Sequence, residues 1–343
     1  MTGADRTCEQ IGIKSPSAPL VLSVIAVSFN TRSMLKQCLE SVEAAKAHLP
    51  IEIVVVDNAS LDGSADTVET EFPDVKLIRN SHNVGFARAC NQGIRVSSAR
   101  YVLLLNTDVM VFPDTLRKMV EFMNLHSTVG ISACRLLNED GSVQASVRDF
   151  PSLRGELFSA LLLDRVFVSN AFIGAYLKTA LTIRESSEVD QVSGAFLMIR
   201  REAVQQIGLL DERFFIYYED VDWCLQTKRA GWSVMYVPEC CALHSGGGSA
   251  NQFNAFSYVE GVRSKILYYR KHYGLTKTLF VQLLVMIEIL MRMLVWLAAQ
   301  VGRTLRLKDT TNKGWSPSVA ARICSVAWFP LHTKLSATRM ANA

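Results

Sequence analysis

The chain has 343 residues, 49% of them hydrophobic and 20% charged, with a net charge of +4. That balance excludes a disordered chain and calls for a packed core. The small charge supplies no concentrated basic patch of the kind nucleic acid requires. Eight scattered cysteines, with no metal-type CxxC spacing, read as reduced thiols of a cytosolic compartment rather than a disulfide scaffold.

Residues 1–20 lack the apolar run of a signal peptide and read as a leader. Val21 to Phe29 is apolar and β-branched, which predicts a buried parallel strand. Asn30 and Thr31 open a helix over 32–47, with Leu35, Leu39 and Val42 at helical spacing. Further strands are predicted at 51–56, 75–79 and 101–105, with helices from Asp62 to about Phe72 and within 83–94. Alternation of this kind predicts a doubly wound α/β sheet with right-handed crossovers, which binds ligands where its strands end.

The middle of the chain is less regular. Asp140-Gly141-Ser142 reads as a hairpin turn, and residues 154–183 are apolar without a clear period, suited to helices, a lid or a membrane-facing insert. A strand at 192–199, a helix at 202–207, a helix through about 217–230 and a strand at 234–237 follow. Leu279 to Val301 is apolar and long enough to cross a bilayer. Its Gln282, Glu288, Arg292 and Gln300 share an arc of roughly 120°, and basic residues flank both ends. An interfacial helix on an anionic membrane is favoured over a span or a core helix.

The polar tips carry the candidate chemistry. Asp57, ending VVVD, can accept a hydrogen bond from a base imide N–H, although helix capping by Asn58, Ser60 or Asp62 accounts for the same segment. Gly85 in NVGFA allows close backbone approach to a ligand or an ordinary turn. Asp108, in the Asn106-Thr107-Asp108 segment, can hold a divalent cation against a diphosphate. His244 precedes three glycines and suits a metal or phosphate, or a satisfied loop. Glu219, Asp220 and Asp222 directly follow the aromatics FFIYY. Apolar walls raise a carboxylate pKa and favour a general base. A solvated helix start accounts better for Asp222 than for the other two, and Trp223 either walls an acceptor pocket or packs.

In order and spacing, VSFN at 27–30, VVVDNASLDGS at 54–64, NVGFARACNQGI at 83–94, LLLNTDV at 103–109, the run at 192–232 containing IYYEDVDW, and HSGGGS at 244–249 resemble family 2 glycosyltransferases, closest to bacterial rhamnosyltransferase-like members. The resemblance covers about residues 21–270. It implies a GT-A fold: a Rossmann-like mixed α/β sheet flanked by helices, here at 21–272, with a C-terminal membrane-associated helical region at 273–343. It implies that Asp57 reads the base, with backbone around Ser28 and Asn30 lining the same pocket. Asn83, Gly85, Asn91 and Asn106 would support the nucleotide sugar. Asp108 and His244 would hold Mg or Mn, with Asn106 standing where the first acid of the metal motif usually stands. Asp220 would be the catalytic base, with Glu219 positioning it or the acceptor.

The implied activity is inverting transfer of a sugar, L-rhamnose from dTDP-rhamnose, to a lipid-linked or cell-surface glycan acceptor. The expected place is the cytoplasmic face of the inner membrane. A non-catalytic nucleotide-sugar-binding membrane scaffold of the same fold is the competing reading. A nucleotidyltransferase is disfavoured, because SFNTRS lacks a phosphate loop rich in glycine and lysine.

Overall fold

The computed structural model describes residues 19–46, 49–161, 183–246 and 254–304. The predicted leader to residue 18, most of the apolar 154–183 stretch and Gly247-Gly248-Ser249 lie outside the described residues. Strands β1 (Leu22–Ser28), β2 (Ile51–Asp57) and β4 (Tyr101–Asn106) are the continuous apolar runs of the sequence. They pair in parallel, as strands covered on both faces do. β3 (Lys76–Arg79) extends the sheet beyond β2. The helices between them, α1 (Arg32–Ala45), α2 (Ser64–Glu71) and α3 (Phe86–Val96), complete the doubly wound half.

Beyond β4 the sheet becomes mixed. β10 (Phe196–Arg200) runs antiparallel to both β4 and β6 (Val129–Leu137). β11 (Ser233–His244) lies parallel to β6 and antiparallel to the short β5 (Val109–Val111). β8 (Ser187–Glu188) pairs with β11, and β7 (Val147–Arg148) forms a separate ribbon with β9 (Gln191–Val192). The region 109–137, which no sequence prediction covered, holds β5, α4 (Thr115–Leu125) and β6. The strand predicted at 234–237 continues to His244 across an irregularity. Val237 faces Cys134 and Cys241 faces Arg135, leaving residues 238–240 without partners. Pro238 cannot donate to a ladder, so a bulge is the way for the strand to pass it.

Alternating side chains divide the core into two layers. Val24, Ile53, Val55 and Leu103 face α1 and α4. Ile25, Val54, Val56 and Leu104 face α3, α6 (Arg201–Ile207) and α7 (Glu219–Arg229). A third cluster joins Phe214 and Leu225 to helix α8 (Asn254–Thr304). α8 is broken at Gly274, whose φ of +80° suits a residue without a Cβ. Its two arms fold back on each other: Tyr258 donates from its hydroxyl to Glu288 at 3.0 Å, and Val262 and Ile266 share a core with Val281, Val285 and Ile289.

The amphipathicity expected of the C-terminal segment is therefore turned round. Glu288 is buried and Arg292 grips it at 2.6 and 2.9 Å, so this part of the polar arc faces the first arm rather than solvent. The outward stripe is apolar: Leu275, Leu279, Leu283, Leu290, Leu294 and Leu297 are each more than half exposed.

Candidate active site

Three parallel strands end side by side. Ser28 lies opposite Asp57, and Val27 lies opposite Asn106. Asp57 and Asn106 are thus two strands apart, roughly 10 Å, a span suited to a nucleotide whose base and diphosphate need separate anchors. The loops after β1 and β2 are stitched together. The Asn30 N–H donates to Ser60 Oγ at 3.0 Å, Leu61 N–H donates to Asn30 Oδ1 at 2.7 Å, and Arg32 N–H donates to Asp62 at 2.7 Å. Asp57 is buried and takes the Ser60 N–H on Oδ2, while Oδ1 has no partner among the described residues. A buried acceptor without a donor is uncommon and costly. A base imide N–H is the complementary group.

Ser28 is engaged within the protein: its hydroxyl meets Thr31 and its carbonyl takes the Asn58 N–H. Asn58, read from sequence only as a possible cap, is instead a hub. Its amide donates to Asn83 Oδ1 and accepts from Val84 N–H and from Asn80. Asn83 is spent shaping this turn, accepting from Gly85 N–H as well. Asn91 is fully buried on α3 and bonds Leu210 through both amide atoms. It pins the 208–212 loop and does not reach the strand tips.

The β4–β5 turn carries Asn106 and Asp108. β11, carried past Pro238 by its bulge, delivers His244 opposite Val109. His244 Nε2 lies 3.4 Å from Asp108 Oδ1, and both side chains are largely buried. Burial and the Asp108 charge push the Cys38 thiol beneath this turn up to about 12. Among the described residues no cluster of three His, Cys, Asp or Glu side chains could hold a metal. One carboxylate and one imidazole could still hold a divalent ion that completes its shell from phosphate oxygens and water.

The aromatic-acid segment reaches the same place from the other side. Asp220 opens α7; its Oδ2 accepts from Gly194 N–H at 2.8 Å and its Oδ1 from Val221 N–H at 2.8 Å. The next residue, Ala195, takes the Asn106 N–H on its carbonyl at 2.9 Å. Asp220 is thereby tied through two adjacent peptide units to the Asn106–Asp108 turn. Burial raises its pKa above the ordinary aspartate value, against the two backbone donors and the Arg148 charge, which oppose the rise. Glu219 is buried, and burial followed by repulsion from Asp220 and Asp222 pushes its carboxyl well up; its Oε2 has no partner among the described residues.

The segment is clamped in a strained conformation. Tyr217 and Tyr218 sit at φ of 68° and 65°, a left-handed pair without glycine. Phe86 N–H donates to the Phe215 carbonyl at 2.6 Å, and Ser264 on α8 donates to the Ile216 carbonyl at 2.8 Å. Gly85 has φ of +91°, and a Cβ there would stand 2.8 Å from the Phe215 carbonyl oxygen. Its role is to let α3 and this loop touch.

Two readings of the segment need correction. Trp223 does not line an acceptor pocket: it is fully buried and donates its indole N–H to the Gly208 carbonyl at 3.1 Å. Asp222 is not a solvated helix start. It is fully buried, with Lys271 Nζ at 2.8 Å and His272 Nε2 at 2.6 Å, both from α8, and Gln226 at 2.7 Å. Arg229 can only donate to His272 Nδ1, so the ring carries its hydrogen on Nε2 and gives it to Asp222.

Comparison with known proteins agrees with this geometry. The family model "Glycosyl transferase family 2" matches residues 23–208, more than half of the chain. The chain is 30% identical over 236 residues to the N-acetylglucosaminyl-diphospho-decaprenol L-rhamnosyltransferase of Mycobacterium tuberculosis, covering 65% of this chain and 76% of that protein. It is 25% identical over 229 residues to the rhamnosyltransferase WbbL of Escherichia coli, covering 64% and 82%. The mannosyltransferase PcManGT of Pyrobaculum calidifontis, solved with GDP-Man and Mn²⁺, superposes with a TM-score of 0.53 at 15% identity, covering 91% of this chain and 81% of that one, a likeness of fold alone. With its GT-A sheet and the matched segments converging on one edge of it, the chain belongs to the family 2 glycosyltransferases.

Proposed function

We propose that the protein transfers L-rhamnose, with inversion, from dTDP-rhamnose to a glycan carried on a lipid diphosphate. The observation that carries the reading is the tie between Asp220 and the Asn106–Asp108 turn through Gly194 and Ala195. A base for the acceptor and anchors for the departing diphosphate then share one cleft. Asp220 takes the proton from the acceptor hydroxyl as that oxygen attacks the anomeric carbon from the face opposite the diphosphate. Two backbone N–H groups hold its oxygens without neutralising them, and burial makes it the stronger base. Burial and the neighbouring acids push the Glu219 carboxyl well up, which disfavours a second anion beside Asp220. A divalent ion held by Asp108 and His244 would stabilise the charge that builds on the leaving diphosphate. Asp57 Oδ1 takes the imide N–H of thymine.

The relatives support the sugar and the acceptor class, since the M. tuberculosis protein is named for L-rhamnose transfer to a decaprenol diphosphate. The membrane side rests on α8. Residues 275–297 measure roughly 34 Å as a helix, with the leucine stripe outward. Exposed Leu157 and Phe158 of α5 (Leu153–Ala160), with Leu161 just past its end, belong to a helix tied to α8 by Lys265 and Glu156 at 2.6 Å. These apolar surfaces support a seat on a membrane, and our reading puts the enzyme at its cytoplasmic face, beside a lipid-linked acceptor. A panel of nucleotide sugars tested against membrane extracts, with product configuration read by NMR, decides the proposal. Transfer from dTDP-rhamnose with the anomeric configuration inverted is expected. Retained configuration, or transfer from another donor alone, contradicts it.

A further inference from the structure

We propose that Gln144, which lies outside every motif of the sequence, sets the tautomer and ring orientation of His244 and so presents Nε2 beside Asp108 to a divalent cation. The inference rests on the metal reading of the proposed function and extends it to a residue that touches neither metal nor sugar.

The hydrogen-bond directions follow from groups that can act in one way only. Gln144 meets the His244 backbone carbonyl at 2.7 Å. A carbonyl oxygen only accepts, so the Gln144 atom there is Nε2. The second hydrogen of that amide goes to Asn138 Oδ1 at 2.7 Å. The Asn138 amide is oriented in turn by Ser142, which receives it at 2.8 Å and donates onward to the Asp140 carboxylate at 2.6 Å. Gln144 Oε1 is therefore the atom 2.7 Å from His244 Nδ1, and it can only accept. His244 then carries its hydrogen on Nδ1. In the neutral ring the lone pair of Nε2 then points to the side where Asp108 Oδ1 stands 3.4 Å away. Two electron-rich atoms facing each other at that distance leave room for a cation between them.

The support is anchored in the fold. Gln144 N–H donates to the Leu136 carbonyl at the end of β6, next to the bridge between Leu137 and Val143. The hairpin is closed by Asn138 N–H to the Ser142 carbonyl at 2.8 Å. The bulged strand brings His244 to the site, and this hairpin fixes how the ring is turned once there. Partners of this kind are worth about 10–100-fold in metal affinity in other histidine sites.

The test compares wild type with Gln144→Met, which keeps length and volume but cannot accept from Nδ1. Histidine-selective ¹⁵N NMR on the full chain, assigned with His244→Ala, reads the tautomer with no metal present. Mn²⁺ titration followed by EPR reads affinity without any turnover. Wild type is expected in the Nδ1–H form. Gln144→Met is expected to shift toward the Nε2–H form and to bind Mn²⁺ about 10–100-fold more weakly. Gln144→Glu, which keeps an acceptor for Nδ1–H, should retain the wild-type tautomer. A wild-type Nε2–H form, or Mn²⁺ affinity in Gln144→Met within twofold of wild type, overturns the assignment. If no protein binds Mn²⁺ while the tautomer follows Gln144 as described, the hold on the ring stands and the metal is removed from the proposed function.

Discussion

Asp220 and Asp222 are two residues apart on one helix and have opposite lives. A step of two residues turns about 200° around an α-helix, so their side chains leave on opposite faces. Asp220 faces the strand tips and is held by two backbone N–H groups, with no cation bonded to it among the described residues. Asp222 faces α8 and is surrounded by Lys271, His272 and Gln226. The first is held by backbone donors; the second is an acid consumed in joining the C-terminal arm to α7. Asp222 is fully enclosed, whereas Asp220 is only partly buried. The kind of donor that each acid meets separates the two further.

Removing Asp222 should expose that difference most strongly. Asp222→Ala leaves Lys271 and His272 without their shared partner, and breaking a buried pair typically costs about 3–5 kcal/mol. Denaturant unfolding should show that loss, whereas Asp220→Asn should be as stable as wild type or more so, because a desolvated charge is removed. Equal stability of the two variants would erase the distinction.

Glu52, at the opposite end of the sheet, provides a reference of purely structural kind. Burial alone would raise its pKa, but Lys76, the Ser98 N–H and Ser23 outweigh that and hold it at about 2. The folded value lies below the unfolded one, so its contribution is present above about pH 4.5 and is lost as the pH falls toward 2. That depression corresponds to about 3 kcal/mol. Glu52→Gln should flatten the acid branch of the stability curve without altering turnover at neutral pH; an unchanged acid branch would contradict the assignment.

A smaller effect is expected at Gly85. Gly85→Ala forces a Cβ to 2.8 Å from the Phe215 carbonyl at a left-handed φ, which should cost about 1–3 kcal/mol. Because the displaced loop carries Asp220, kcat should fall more than donor affinity. A variant that loses stability but keeps kcat would show that the loop does not set the base. The smallest signal is in pH. The raised pKa of Asp220 should move the acid limb of kcat/KM above the ordinary aspartate value near 3.9, with activity falling as the pH drops through it.

Much of the tip geometry was legible. LSVIAVS, IEIVVVD and YVLLLN are apolar because both faces of their strands are covered, and Asp57 and Asp108 mark where they stop. What escaped depended on distant partners. The fate of Asp222 and Trp223 is decided by α8 and by Gly208, which no local pattern reveals. β11 was truncated at Pro238 because a bulge is invisible to propensity, and its continuation is what carries His244 to Asp108. The polar arc on α8 reads as one face of an interfacial helix, and no local pattern signals that the fold-back at Gly274 brings Tyr258 to Glu288. Leu116, Met119, Val120 and Met123 of α4 do show helical spacing, whereas β6 is masked by Gly130, Ser132 and Arg135.

The most direct test is single-turnover transfer by Asp220→Asn, with donor affinity measured on the same sample. Loss of the base should lower the transfer rate about 10²–10⁴-fold while the donor binds as in wild type. Transfer near the wild-type rate would show that Asp220 does not take the acceptor proton.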